Sequence, residues 1–295
     1  MQSAAKHIAE LKRTGRVRAA LSAVETAKKD GSEELLLEEL KQLGCDVDAL
    51  QQDDADTREV LASLLEEEGW RECRNDELRV SYKKEEDDPV HRFKFEATFE
   101  TATLDLLSLA REFDLISSWN TFILDPTILC RTSFTGLMVY LGVWVPWPAT
   151  SKDVILSARG FDLIDEQGDV VCIFQSEDPP QGAQSVPESA EGRSRVALHK
   201  SGFKMKPISA THTQTSIIFN VDPCMNTPPN WLISFVLSVM SPWIYGKVVN
   251  VLKEIMQKDG AYRQRQDTDE HRPFYRHFAE RIASYSRDLD KLDET

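Results

Sequence analysis

The sequence predicts an α+β protein in which a curved antiparallel β-sheet wraps around one long C-terminal α-helix, with a helical extension ahead of it. Helical periodicity is confined to the two ends and to short pieces, and strands of alternating polarity fill the middle. One apolar stretch, PNWLISFVLSVMSPWIYG at 229–246, stands out in an otherwise acidic chain. Strands segregated from helices, without βαβ alternation, are what an α+β architecture requires.

The chain has 295 residues and is 41% hydrophobic, enough for one sizeable core. Lys and Arg total 35 against 49 Asp and Glu, a net charge of -14. That balance excludes nucleic acid, whose binding rests on neutralising phosphates. Cys45, Cys73, Cys130, Cys172 and Cys224 are odd in number, widely spaced and without a C-x-x-C. They fit free thiols in a reducing compartment, so a cytoplasmic location is expected, with no disulfide framework and no metal site. The first 30 residues lack the apolar core of a secretory signal. Their seven bases leave organelle targeting open, although Glu10, Glu25 and Asp30 count against a transit peptide.

Residues 1–65 read as a helical extension. Leu36, Leu40, Leu43, Val47 and Leu50 recur at helical spacing, and Val60, Leu61, Leu64 and Leu65 form a second stripe. Its charge is segregated, with bases first and acids after. It reads either as solvated amphipathic helices or as a hairpin for a protein partner. Alternation then begins at Leu78, Val80 and Tyr82 and continues through Phe93, Phe95, Ala97 and Phe99, with KEEDDP as the turn. LDLLSLAREFDLISSWN returns to helical spacing. Strands resume in TILCRTSFTGLMVYLGVWVP, DVILSARGFDLI and DVVCIFQSE, and again in SRVALHKSGFKMKPIS and TQTSIIFNVDP. DPPQGAQSVPESAEG between them reads as a long loop.

The apolar stretch opens a helix. Thr227 is placed to cap it, Pro228 and Pro229 suit its first turn, and Gly260 suits its end. Leu232, Phe235, Val236, Val239, Val248, Val249, Leu252 and Ile255 form its apolar stripe, and Pro242 should kink it. Ser234, Ser238, Ser241 and Pro242 interrupt it, and Lys247 and Lys253 follow, short of the ~20 apolar residues that span a bilayer. A membrane span is therefore not expected. Residues 261–295, with seven bases and eight acids, read as a polar tail, solvated helix or disordered. A curved sheet closed by one apolar helix leaves an interior space, a usual place for an apolar ligand.

Four pieces at this spacing resemble the START domain, the steroidogenic-acute-regulatory-related lipid-transfer family, across residues 66–260. They are DLISSWN around Trp119, PWPATSKDVILSAR at 146–159, SRVALHKSGFKMKP, and VDPCMNTPPNWLISF. One departure is visible: family members usually carry glycines after the Asp-Pro, where this chain has Cys224, Met225 and Asn226. The resemblance implies a helix-grip fold that binds one lipid in an interior cavity and carries it between membranes, or senses it. The protein would be peripheral to membranes, without a cofactor. The C-terminal helix would roof the cavity. The gate would lie where it meets the facing loop, through Trp147, Pro148, Lys152, Asp153, Asp222 and Trp231. Trp231 and Trp243 would serve as headgroup anchors or as plain core aromatics.

Period-two alternation places Leu137, Val139, Leu141, Val143 and Val145 on one face of their strand, and Val154, Leu156 and Ala158 on the matching face of the next. With Phe219, and Leu232, Phe235, Val236 and Val239 of the roof, they are the expected cavity lining. Phosphatidylcholine carriers of the family cage choline with aromatics at positions that match Leu141, Val154 and His199. Two aliphatics and a histidine cannot form that cage. No carboxylate faces in, Arg159 falls out of phase, and Arg131 carries the same caution. The expected ligand is a sterol, a diacylglycerol-like or another mostly apolar lipid. His199 is either the polar landmark of the lining or an outward or core histidine.

An enzyme on the same scaffold, of cyclase or hydrolase type, is the alternative, as is an adaptor that its lipid domain targets. No G-x-S-x-G elbow, Gly-rich phosphate loop or H-E-x-x-H occurs. No catalytic residues are assigned. Asp153 with Lys152 reads as a loop-fixing pair, and Asp222 as a turn residue.

Overall fold

The computed structural model describes residues 2–29, 33–180, 193–224, 228–255 and 260–293. Thr227, the hinge residues Met225 and Asn226, most of the long loop and the end of the roof helix before Gly260 lie outside them. Four helices come first: α1 (Gln2–Arg13), α2 (Val17–Lys29), α3 (Glu33–Gln42) and α4 (Val47–Leu65). Then follow β1 (Arg71–Asn75), β2 (Leu78–Lys84), β3 (His91–Phe99), α5 (Thr103–Arg111) and a 3₁₀ turn at Phe113–Ser118. The middle holds β4 (Ile123–Cys130), β5 (Gly136–Val143), β6 (Lys152–Leu163), a short α6 (Ile164–Gln167) and β7 (Asp169–Ser176). β8 (Ser194–Arg195), β9 (Ala197–Ser209) and β10 (His212–Asp222) complete the strands. The roof is α7 (Asn230–Phe235), a π-turn (Val236–Met240) and α8 (Ser241–Ile255), and α9 (Ala261–Gln266) and α10 (Arg272–Asp293) end the chain.

The sheet runs β1-β2-β3-β10-β9-β7-β6-β5-β4, antiparallel throughout, with β8 beside β6 in parallel. Side chains alternate across it, so one set of strands makes two faces. The N-terminal helices cover the outer one. Ile8, Val17, Ala20, Leu36, Leu40 and Leu50 join Val60 of α4 in a single apolar core with Phe161, Leu163, Val171, Ile173 and Ile218 of the sheet. Most of the expected stripe residues are thus spent on the protein's own core, while Leu43 and Leu65 are exposed. Gly15 makes the α1–α2 turn possible. Its φ is +80°, a Cβ there would meet the Gly160 carbonyl at 2.7 Å, and its own carbonyl accepts from Asp162 N–H at 3.0 Å.

The C-terminal segment is neither disordered nor merely solvated. Phe274, Tyr275 and Phe278 of α10 are buried with Leu106, Leu107, Val251, Leu252 and Ile255. Tyr262 of α9 accepts from the Trp119 indole N–H at 2.8 Å, and Arg263 pairs with Asp105 at 3.0 Å. Arg281 donates to the fully buried Asp162 at 2.7 and 3.2 Å. Burial works against that carboxylate, but His277 at 3.5 Å and the Arg281 guanidinium together hold it below the usual carboxylate range.

Candidate functional site

The inner face is the concave side, under the roof. Leu137, Val139, Leu141, Val154 and Leu156 are buried there in one cluster with Phe174, Val196 and Leu198. Val143, Ala158 and Phe219 pack partly buried against it. Sequence alternation placed the seven β5 and β6 residues among these on one face, and the structure gathers them with Phe219. Val145 lies past the end of β5 and is half-buried in the loop. A second cluster continues the same surface through Leu78, Val80, Tyr82, Phe93 and Phe95 to the roof residues Ile233, Val236 and Leu237. Phe219 and Val221 belong to both.

His199 does not line the interior. It is exposed beside Glu59, Ser63 and Lys200, between α4 and the sheet. The cause is an irregularity: the β9–β10 register shifts between Ile218 and Asn220, so His199 pairs with Asn220 and Gly202 with Ile218. A bulge resets period-two alternation, which is why Leu198 and Phe203 both face inward. Arg159 faces outward as expected, bound to Asp53 and, at 2.7 Å, to Asp56 of α4. Arg131 is also away from the lining, with His271 Nε2 at 3.2 Å and Glu112 at 3.8 Å.

On the roof, Leu232 and Leu237 are buried, Phe235 and Val236 half-buried, and Val239 is 52% exposed. The π-turn explains Val239. The Ser241 N–H and side chain both reach back to the Val236 carbonyl, one residue further than an α-helix allows. That extra residue rotates the stripe, so Leu237 faces in and Val239 out. The expected break near Pro242 therefore takes the form of a π-turn just before it. By length and composition the 26-residue helix Asn230–Ile255, with an 18-residue window of mean hydropathy 1.5, is long and apolar enough to cross a membrane. The expectation to the contrary rested on the serines and Pro242 that interrupt the apolar run and on Lys247 and Lys253 beyond it. Its seat is the fold itself, where Val251, Leu252 and Ile255 pack against α5 and α10.

The gate residues divide. Trp147 is 89% exposed and Trp231 38% exposed, and Pro148 is exposed beside Trp147. Asp153 is fully buried, held bidentately by Arg195 at 2.9 and 3.1 Å, and takes a Tyr140 hydroxyl bond at 3.3 Å. Lys152 donates to Ser194 at 2.6 Å. Both tie β8 to β6 and fix this end of the sheet in this structure. Asp222 is the expected turn residue, accepting from Cys224 N–H at 2.8 Å. Sequence reasoning missed an aromatic seam in which Phe122 touches Trp144, Phe235 and Trp243 at ring separations of 5.9, 5.9 and 4.8 Å. It joins the roof to the ends of β4 and β5. Among the described residues no group of His, Cys, Asp or Glu is set to hold a metal ion.

A sheet that grips one C-terminal helix over an apolar concave face defines the helix-grip class. The START domain profile matches residues 50–258, and the chain belongs to that family. Solved structures of similar fold include human StAR-related lipid transfer protein 5, 17% identical with a TM-score of 0.60, covering 71% of this chain and 98% of that one. Human STARD10 is 16% identical with a TM-score of 0.57, covering 68% and 80%. A fragment of a STAR-related lipid transfer protein from Xanthomonas axonopodis is 18% identical with a TM-score of 0.51, covering 64% and 100%. No curated protein matches the chain by sequence.

Proposed function

We propose that this protein binds one mostly hydrocarbon lipid between the inner face of the sheet and the roof, and carries it between membrane surfaces. The observation that carries this is the incomplete closure of the inner side. Every roof residue from Pro242 to Val249 is half-buried, and so are Val143, Ala158, Cys172, Phe203, Phe219 and Val221 beneath. Cys172 sharpens the point. Desolvation pushes its thiol up to about 12, yet part of its surface is uncovered. A deep group left partly uncovered is what a space between the sheet and the roof would produce.

The lining around that space is aliphatic and aromatic, so a charged headgroup there would lose its hydration without partners. With His199 outside, the three positions that match the family's choline cage offer no ring to a quaternary ammonium. A sterol or a diacylglycerol-like lipid fits the surface best. Entry would part the Phe122–Trp144–Phe235–Trp243 seam while Trp147 and Trp231 engage the membrane interface, where amphipathic rings settle.

Vesicle-to-vesicle transfer of a fluorescent sterol and a fluorescent diacylglycerol tests the reading. Sub-stoichiometric protein should accelerate at least one of them. No acceleration, with no binding of either lipid, would contradict it.

A further inference from the structure

The inner face is not wholly apolar. Its remaining polar groups are mostly spent: Thr213 bonds to Thr103 at 2.8 Å and to the Thr101 carbonyl at 2.9 Å, and Thr215 to the Ala97 carbonyl at 3.1 Å. Ser176 accepts from Leu198 N–H at 2.9 Å. One pair differs. Tyr82 Oη and His91 Nδ1 lie 2.8 Å apart, on the face of β2 and β3 that carries Leu78, Val80, Phe93 and Phe95. Tyr82 stacks at a tilt on Phe93, 5.4 Å between rings, and packs in the cluster that includes Ile233, Val236 and Leu237 of the roof.

His91 is only 6% exposed and pairs with Val221 of β10, which borders both apolar clusters. Its Nδ1 is taken by Tyr82, and no described residue hydrogen-bonds its Nε2. Burial and the Lys84 ammonium, against Asp222 and Asp88, hold the imidazole below its ordinary pKa, so it is neutral at neutral pH. A neutral, buried imidazole with one engaged and one open nitrogen can serve a single small polar group. It offers nothing to balance a phosphate or a quaternary ammonium.

We infer that Tyr82 and His91 form the polar anchor of the ligand, with His91 Nε2 hydrogen-bonding one oxygen of an uncharged lipid, a sterol hydroxyl or the free hydroxyl of a diacylglycerol. This rests on the lipid-carrier reading and specifies its ligand: one neutral oxygen at the β2–β3 end beneath the first half of the roof, hydrocarbon elsewhere.

Two matched probe pairs test it on the full chain: cholesterol with 5-cholestene, and 1,2-dioleoylglycerol with 1,2-propanediol dioleate, which lacks the free hydroxyl. Dissociation constants are measured for the parent protein, Tyr82→Phe and His91→Phe. The parent should favour the oxygen-bearing member of the pair it binds by about tenfold, the size of one net hydrogen bond. His91→Phe should erase that ratio while binding of the oxygen-free member stays within about twofold, and Tyr82→Phe should reduce it. Addition of the bound lipid should also shift the His91 Nε2 resonance in the parent and in Tyr82→Phe, a readout that remains if His91→Phe does not fold. An unchanged ratio in the variants, with an unmoved His91 resonance, overturns the anchor and leaves the carrier reading intact. A parent protein that binds none of the four lipids overturns both.

Discussion

The two faces of this sheet are made by the same strands and treated oppositely. On the outer face Leu163, Val171, Ile173 and Ile218 are 0–1% exposed under α1–α4. On the inner face Val143, Ala158, Cys172, Phe219 and Val221 are apolar neighbours left partly uncovered beneath a long helix. Close packing is what stabilises a fold, so apolar groups left partly uncovered are available for something else. On the proposed reading, the difference divides stability and ligand binding between the faces. Helices supplied from both ends of the chain seal and brace the body, and the inner side has the apolar residues left partly uncovered.

Substitutions can break that division. Leu163→Ala, on the sealed face, should destabilise the protein by about 3–4 kcal/mol, whereas Val143→Ala on the open face should cost below about 1 kcal/mol. Denaturant titration of the two variants compares them directly, and equal losses would mean that the inner face is packed as tightly as the outer.

Arg281→Ala probes the brace from the C-terminal helix. It leaves Asp162 buried without its guanidinium and should cost about 3 kcal/mol at pH 7. Because the folded carboxyl is held below its ordinary value, that stabilisation is present above about pH 4 and fades as pH falls through the folded value. The deficit of the variant should therefore shrink on acidification, and a deficit constant from pH 7 to pH 3 would remove Asp162 from the account.

Enlarging an alanine sharpens the contrast. Ala20→Phe, at 0% exposure in the outer core, should cost at least about 2 kcal/mol through overpacking. Ala158→Phe should cost less than about 1 kcal/mol and lower lipid affinity by tenfold or more, because the new ring occupies ligand space. Calorimetry and lipid titration separate the two effects. The smallest change belongs to Trp147→Ala, which removes an 89% exposed ring. The melting temperature should stay put while transfer between vesicles slows by a few fold; an unchanged rate would place the membrane contact elsewhere.

Much of the fold was legible because period-two alternation is a direct image of a two-faced sheet. Leu137 to Val143 and Val154 to Ala158 needed nothing more to be assigned to one surface. What escaped depends on single-residue insertions that periodicity cannot see. The bulge around Lys200 and Ser201 turned His199 outward, and the π-turn turned Val239 outward and Leu237 inward. The folded C-terminus was hidden by its charge, although Phe274, Phe278 and Ile282 recur every four residues, a helical stripe that was there to be counted. Tyr82 and His91 could not be paired from sequence, because the contact is made across a hairpin whose register only the fold sets.

The central claim is that the inner face holds one lipid. Native mass spectrometry of the protein purified from eukaryotic cells, with extraction and identification of what it carries, tests this most directly. The account predicts a single stoichiometric adduct, an uncharged lipid with one small polar end, that is lost in Ala158→Phe. A chain that emerges empty and takes up neither sterol nor diacylglycerol, or an adduct that Ala158→Phe retains in full, would contradict it.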